Sequence, residues 1–433
     1  MSSSPSLFRP IFHRSSKCLI SNNRISFSSF SNNRISFRSS SSLFRRRMSI
    51  AAALPSIIQN SPPWLMLPPA FDGGAMNFNF YSLSENKVIT LAGSEEKELA
   101  DLMSKPNHHR VLRGSSHGWL ALFNKQNLDL FLYNPISRRH IKLPPIHNLP
   151  NVPEHDPRSV SKVILSCSPD QDSESCRAVM IHGDADLMAF CCPGRSKEWT
   201  SFGLNSSGYD ECVYSSEQEL LIGLTNDDKL ESWDLRDLSS PRMIMSGKLY
   251  ANNDPKSEEE LSRKEAYDFC VREEHLVVAG HDLLNVTRQI MENVGPDGLY
   301  VDCNDKGSDN CPHLTVDFEV YKYDPDERGF FTCWDLDGLA LFVGLESDTV
   351  ALPASSFPGL KANSIYYTDT IGTRNWTSSH DGKCDEDAPF GGHDIGIFNY
   401  DDKTVSSCYY PCDVQSIQRI LPSPMWFFPS STL

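Results

Sequence analysis

Long apolar segments are absent from this sequence of 433 residues. A membrane-spanning helix needs about 20 consecutive apolar residues, whereas the longest apolar stretches, such as 119–123 and 339–343, have only the length of a strand. Hydrophobic residues make up 39% of the chain and charged residues 22%, which excludes a fibrous or wholly disordered chain. We therefore expect a soluble protein without membrane insertion.

Acidic residues are absent from the first 71 positions, since Asp72 is the first carboxylate. Residues 1–47 hold eight Arg and one Lys among many Ser residues. This composition is typical of an organellar transit peptide, and the apolar runs are too short for a secretory signal. The segment 22–27 recurs as 32–37, which an unpacked segment tolerates. We predict a disordered mitochondrial transit peptide over 1–47, with the chloroplast as the alternative destination, followed by a linker over 48–62.

Positive charge is scarce beyond the presequence. There, 31 Lys and Arg stand against 56 Asp and Glu, a balance of −25. Nucleic-acid binding depends on clustered Lys and Arg that contact phosphates, and an anionic membrane surface attracts the same residues. The composition therefore argues against both nucleic acids and membranes as partners.

The thirteen cysteines include no Cys-x-x-Cys pair. Most of them lie singly in apolar, strand-like runs, where buried free thiols are the usual state, and their spacing does not suggest a disulfide framework. Cys303, Cys311 and His313 share one polar loop, and Cys408 and Cys412 are four positions apart. A tetrahedral zinc site needs four converging ligands, so we expect no metal and no cofactor.

Catalytic motifs are few and incomplete. Residues 114–118 fit Gly-x-Ser-x-Gly with Ser116 as nucleophile, but such an elbow joins a strand to a helix, and a strand-like alternation follows. His393 and Asp394 offer a base and a carboxylate, yet adjacent strand residues point to opposite faces, so a turn is the better interpretation. The segment from Asp302 resembles a calcium loop but has lysine at the fifth position, where an oxygen ligand is needed. No phosphate-binding glycine loop occurs, and we predict no catalytic residue.

Helical periodicity is also sparse. The best windows are 95–103 and 282–294, of which the second is equally good as a strand. From about residue 110 the chain shows short apolar or alternating runs separated by turn residues. Strands at this spacing over such a length indicate a sandwich, a barrel or a propeller.

Repetition favours the propeller. Trp-Asp-Leu occurs at Trp233 and again at Trp334, 101 residues apart, which is close to two kelch-like repeats of about 50 residues. We therefore predict an all-β, kelch-like β-propeller of six or seven blades over 63–430. Trp119, Trp233 and Trp334 are expected at equivalent positions between neighbouring blades.

Eight short segments carry a family resemblance: 114–122, 130–135, 143–145, 318–324, 339–344, 355–360, 365–369 and 391–396. In this order they resemble the β-propeller domain that follows the F-box in plant SKIP-like and KIB-like F-box/kelch proteins. An F-box is a helical unit, and the short linker 48–62 does not supply one. The chain therefore resembles an organelle-targeted branch of this family without the F-box. The residues that carry the resemblance, in structural roles, are Gly114, Ser115, His117, Gly118, Trp119, Asn134, Pro135, Phe357, Pro358, Gly359, Gly391, Gly392, His393 and Asp394.

These observations favour a non-catalytic, organellar β-propeller that binds a protein partner and is itself a monomer. A hydrolase-type enzyme with its site in the propeller channel is the alternative, which is disfavoured because no acid/base or metal constellation is complete. An F-box-like adaptor of a ubiquitin ligase is a second alternative, which the missing F-box disfavours.

Residues 1–60 are expected to carry a fluorescent reporter into mitochondria, because the segment is rich in Arg and free of acidic residues. Fluorescence microscopy with organelle markers measures this. The matched control replaces the nine basic residues of 1–47 by Gln and should leave the reporter in the cytosol. A cytosolic or plastid location of the unmodified fusion would contradict the prediction.

Overall fold

The computed structural model describes most of the chain after residue 61. The described ranges are 62–72, 75–93, 112–124, 126–150, 152, 159–248, 250–251, 267, 270–301, 311–344, 347–370 and 390–429. Four predicted features lie outside them: the predicted transit peptide 1–47, the predicted linker 48–62 except for residue 62, the helical window 95–103 and the calcium-like segment from Asp302.

The described residues form six sheets, each of four or five strands. The first sheet contains β1 (Trp64–Asp72), β2 (Ala75–Ser82) and β3 (Lys87–Ala92), and the second contains β4 (Leu112–Ser116), β5 (Trp119–Asn124), β6 (Asp129–Asn134) and β7 (Arg139–Lys142). The third contains β8 (Val160–Leu165), β9 (Ala178–His182), β10 (Leu187–Cys191) and β11 (Thr200–Phe202), and the fourth contains β12 (Tyr209–Ser215), β13 (Leu220–Thr225), β14 (Lys229–Asp234) and β15 (Arg242–Lys248).

The last two sheets have five strands. The fifth contains β16 (Tyr250–Ala251), β17 (Cys270–Ala279), β18 (Asp282–Met291), β19 (Leu314–Asp324) and β20 (Gly329–Thr332). The sixth contains β21 (Leu339–Val343), β22 (Val350–Pro353), β23 (Ser364–Tyr367), β24 (Gly396–Asn399) and β25 (Thr404–Ser406), and β26 (Met425–Phe427) returns to the first sheet.

Local sequence explains why these segments form hairpins. Ser116 pairs with Trp119, so β4 and β5 are joined by a two-residue turn, in which His117 and Gly118 have φ of 50° and 82°. Two positive φ values identify the type I′ turn that matches the twist of antiparallel strands. The predicted glycine-bounded turn before a strand is present, and no helix follows Ser116 as a nucleophile elbow would need.

The six sheets surround one axis as the blades of a propeller. Their innermost strands are β26, β4, β8, β12, β17 and β22, and neighbouring members of this ring pack against each other, for example β4 against β8 and β12 against β17. Six apolar clusters lie between successive blades, and each draws its side chains from two of them. Burial between blades therefore supplies the apolar core that no single sheet has.

The ring is closed by strands from the two ends of the described chain. β26 pairs antiparallel with β1 through Trp64 and Phe427, and the rings of these two residues lie 6.2 Å apart. Trp426 packs on the opposite side, against Phe342 and Tyr366 of the sixth blade. The C-terminal strand thus joins the sixth blade to the first.

The all-β propeller prediction is confirmed, and the blade count is six. The window 282–294, equally good as helix or strand, contains β18, and no α-helix occurs among the described residues. Within the same ranges, no helix is long and apolar enough to cross a membrane.

The expected equivalence of three tryptophans is wrong. Trp119 and Trp233 are buried between blades, with 1% and 7% exposed, but they lie on the second and third strands of their sheets. Trp334 is 70% exposed, because β20 ends at Thr332 and the chain leaves the sheet before it reaches this residue. The interval of 101 residues is therefore not a two-blade repeat.

Trp119→Ala is expected to destabilise the protein by about 3–5 kcal/mol, because it leaves a cavity between the second and third blades. Trp334→Ala is the matched control and should change stability by no more than about 0.5 kcal/mol, as at other exposed positions. Urea unfolding followed by circular dichroism measures both. Equal effects of the two substitutions would contradict the burial described above.

Candidate functional site

Charged and hydroxyl side chains meet at the propeller axis. Five side chains form this group, and four of them lie on innermost strands: Ser116 on β4, Lys162 on β8, Glu211 on β12 and His275 on β17. Asp348 precedes β22, the innermost strand of the sixth blade. We call these five side chains the axial cluster. Four of them belong to buried residues, and Asp348 is partly buried.

A short segment of the chain crosses the axis and joins blades that are not neighbours. The N–H of Asp348 donates to the carbonyl of Ser115 in the second blade at 2.9 Å. On the next residue, the Thr349 hydroxyl donates to the carbonyl of Leu276 in the fifth blade. Residues 347–349 therefore occupy the axis at the level of the axial cluster, and we call them the axial segment.

Lys162 and Glu211 form the central ion pair of the axial cluster. Nζ of Lys162 lies 2.6 Å from Oε1 of Glu211, and both side chains are buried. Burial alone would raise the pKa of Glu211, but Lys162 and the adjoining His275 outweigh it and hold this pKa at about 2. For Lys162, burial alone would lower the pKa. The Glu211 carboxylate outweighs this effect and raises the pKa of Lys162 above its ordinary value. Both groups therefore stay charged at neutral pH and neutralise each other.

Asp348 is the carboxyl group of the axial cluster whose pKa is raised. Burial raises its pKa to about 7, against smaller opposing effects of the Ser116 hydroxyl and of Lys162. The Ser116 hydroxyl donates to Oδ2 of Asp348 and accepts a hydrogen bond of 3.0 Å from the N–H of Leu165. Ser116 is thus a buried bridge between blades, and both of its hydrogen-bonding functions are used.

A second set of buried charges is centred on Arg288 near the end of β18. One guanidinium nitrogen donates to Asp394 at 2.8 Å, another donates to Thr315 at 2.7 Å, and a third donates to the carbonyl of Thr368 at 2.8 Å. Glu273 of β17 lies 3.7 Å away. Asp394, one of the residues that carry the family resemblance, therefore joins the sixth blade to the fifth blade through Arg288.

His393, which precedes Asp394 in the chain, belongs to a group of three buried side chains with His313 and Asp369. We call this group the trio. Nε2 of His313 lies 2.9 Å from Oδ1 of Asp369, and His393 donates through Nε2 to the carbonyl of His313 at 2.9 Å. Burial lowers the pKa of His313, but Asp369 outweighs this effect and raises it. The pKa of Asp369 is held below its usual range, because His313 outweighs burial.

The trio also meets the distance requirement for metal ligands. One donor atom from each of His313, Asp369 and His393 lies within 4.8 Å of the other two. However, Nδ1 of His393 already accepts the N–H of Gly391 at 3.0 Å, and Nε2 of His313 is bonded to Asp369. We interpret the trio as a hydrogen-bonded ion pair that fixes the loop before β24.

The remaining family residues have backbone roles. A Cβ at Gly114 would collide with the carbonyl of Val163 on the adjacent inner strand, and one at Gly359 would lie 2.7 Å from the carbonyl of Leu83 in the first blade. Asn134 accepts the N–H groups of Ile136 and Ser137 at 2.9 and 3.0 Å, which fixes the turn after β6. The others, Ser115, Pro135, Phe357, Pro358 and Gly392, lie in or beside these inner strands, turns and loops.

The candidate nucleophile and base are in separate hydrogen-bond networks. Ser116 contacts Leu165 and Asp348, whereas His393 contacts Gly391, His313 and Asp369. The candidate metal residues are also dispersed: His313 belongs to the trio, whereas Cys408 is buried in the apolar cluster between the sixth and first blades. Cys303 lies outside the described residues.

The fold and its polar axis define a six-bladed β-propeller whose inner strands are joined by buried charges. The chain belongs to the KIB1-4 beta-propeller family, whose sequence profile matches residues 80–399. This match confirms the family resemblance found in the sequence. No curated protein matches the chain at a significant level.

Similarity to solved structures is weak. Apo AztD from Citrobacter koseri is 13% identical with a TM-score of 0.31, and the alignment covers 56% of this chain and 50% of that chain. The Cps50 (Swd1) β-propeller domain from Myceliophteria thermophila is 11% identical with a TM-score of 0.27, covering 62% and 84%. The aligned part thus spans about half the length of AztD, and these scores carry no argument about function.

Asp348→Asn is expected to flatten the pH dependence of stability. The pKa of this carboxyl is about 7 in the folded protein against an ordinary value of 3.8, so its protonated form stabilises the fold at low pH and this contribution is lost as the pH rises to about 7. Asparagine keeps an acceptor for Ser116 but does not ionise. The variant should therefore gain stability relative to the wild type between about pH 4 and pH 7, with no further gain above.

Urea unfolding of both proteins at several pH values measures this difference. Because other groups titrate equally in the two proteins, the quantity of interest is the difference between the curves. Parallel curves would show that the Asp348 carboxyl is not buried as described.

Proposed function

We propose that this protein is a non-catalytic interaction module of an organelle, which binds a protein partner through the surface around Trp334. Membership of a β-propeller family suggests an interaction module. The organellar address is supported by the acid-free, Arg-rich segment 1–47. The exposed indole of Trp334 is the observation that carries the partner-binding surface.

Trp334 has the most exposed large hydrophobic side chain among the described residues. Its exposed fraction is 70%, and Phe331, three residues earlier, is 39% exposed. Tryptophan is enriched among the residues that dominate binding energy at protein interfaces. Asp335 and Asp337 flank this region and are exposed. Together with the charge of −25 beyond the presequence, they favour a partner segment that carries basic residues.

The contacts among the side chains at the propeller axis support a non-catalytic role for this protein. The axial segment 347–349 is bonded to both the second and the fifth blade, and these bonds would have to break before a substrate could take its place. Lys162 and Glu211 neutralise each other, and Ser116 is fully hydrogen-bonded. A polar group that already has buried partners must lose them before it can bind a substrate.

The enzyme alternative rests on Asp348, because a carboxyl with a strongly raised pKa in a cleft is a signature of general acids. This carboxyl, however, is hydrogen-bonded to Ser116 inside the axial cluster. We therefore assign its raised pKa mainly to burial, to which the nearby Glu211 carboxylate adds.

A photo-crosslinking amino acid at position 334 of the full chain, expressed in its own cells, is expected to yield one discrete covalent adduct. The matched control places the same amino acid at Leu204, which is 56% exposed. Leu204 lies in the loop that joins β11 of the third blade to β12 of the fourth. The adduct should weaken when salt is raised, because the Debye length falls from about 10 Å at 0.1 M to about 3 Å at 1 M. Absence of an adduct at 334, or the same adduct at both positions, would contradict the proposed surface.

A further inference from the structure

Two cysteines of the third blade face each other across a hairpin. Leu165 of β8 pairs with Ala178 of β9, and the N–H of Ser166 donates to the carbonyl of Arg177 at 2.9 Å. The same register places Cys167 directly opposite Cys176. Opposed residues of antiparallel strands have Cα atoms about 4.5–5.5 Å apart, which lies inside the range of about 4.4–6.8 Å found for disulfides.

The thiol of Cys176 contacts the backbone of Cys167. The Cys176 thiol donates to the carbonyl of Cys167 at 3.1 Å, and its hydrogen bond to the Cys167 sulfur lowers the pKa of Cys167 to about 7. The same interaction raises the pKa of Cys176. Cys167 is half-buried, whereas Cys176 is fully buried. One thiol is thus accessible and readily deprotonated, and the other lies behind it.

We propose that Cys167 and Cys176 form a site of reversible oxidation that yields an intramolecular disulfide. The Cys167 thiolate attacks a hydroperoxide, the O–O bond breaks, and Cys167 becomes a sulfenic acid with release of hydroxide or alkoxide. The Cys176 thiol then loses its proton and attacks the Cys167 sulfur. The S–O bond breaks, the S–S bond forms, and the sulfenic oxygen leaves as water. Both electrons removed from the two thiols go to the peroxide.

The disulfide would fix a turn that touches both neighbouring blades. In the turn, Asp170 binds Arg139 and receives a hydrogen bond of 3.3 Å from Asn134, both in the second blade. Arg177, next to Cys176, donates to the carbonyl of Leu235 at the end of the fourth blade's β14 at 2.9 Å. Oxidation should therefore raise the melting temperature, because it constrains the unfolded chain.

Mass spectrometry of the full chain tests the proposal. The reduced protein is treated with equimolar hydrogen peroxide, alkylated and digested without reductant. We expect a linked peptide that contains Cys167 and Cys176, lacks two hydrogen atoms and is lost after treatment with dithiothreitol. Cys192 is the matched control, since its thiol also lies in this region and donates to the carbonyl of Ser173 at 3.3 Å; Cys192→Ser should leave the linked peptide unchanged.

Cys176→Ala separates the two steps. In this variant we expect a sulfenic acid at Cys167 that dimedone traps, and no disulfide. The pH midpoint of Cys167 alkylation should also move upwards from about 7, because the hydrogen bond from Cys176 is lost. Circular dichroism checks that the variant is folded.

Three results would overturn the proposal. One is a linked peptide between Cys176 and Cys192 in place of the expected pair. Another is oxidation of Cys167 beyond sulfenic acid while Cys176 stays reduced. The third is recovery of both thiols unchanged after peroxide treatment.

Discussion

The polar side chains at the propeller axis must satisfy one another, and the arrangement of the inner strands depends on this requirement. A buried charge is tolerated only when it is paired and hydrogen-bonded. Lys162 meets Glu211, and Arg288 meets Asp394. Each of these pairs joins two different blades. The register between the inner strands β8 and β12 is therefore constrained by the Lys162–Glu211 pair as well as by apolar packing.

Closure of the propeller ring brings the paired side chains of different blades together. β26 completes the first blade beside β1, so each of the six blades contributes an innermost strand to the ring around the axis. The axial segment then spans this circle from the fifth blade to the second. Trp334, at the centre of the proposed interaction surface, follows β20 near the outer edge of the fifth blade and is therefore separate from the axial segment.

Local features of the fold could be predicted from the sequence, whereas the axial cluster could not. The turn at His117 and Gly118 and the strand after it follow from short-range patterns. Ser116 and Asp348, by contrast, are 232 positions apart, and only the closed ring brings them together. A signal was nevertheless present, since Lys162 and Glu211 each stand directly before apolar residues of their strands. Trp334 was misassigned because a short motif does not show where its strand ends.

Hydrogen exchange at the axial segment tests most directly whether the axis is filled. The N–H of Asp348 is bonded to the carbonyl of Ser115, so a peptide covering 347–349 should exchange as slowly as the inner strand β4. A segment that opens to admit a substrate would instead exchange at the rate of exposed turns such as 325–328, while β4 stayed protected. Slow exchange at 347–349 is the result predicted for a propeller that binds its partner on the outside, and fast exchange there would contradict it.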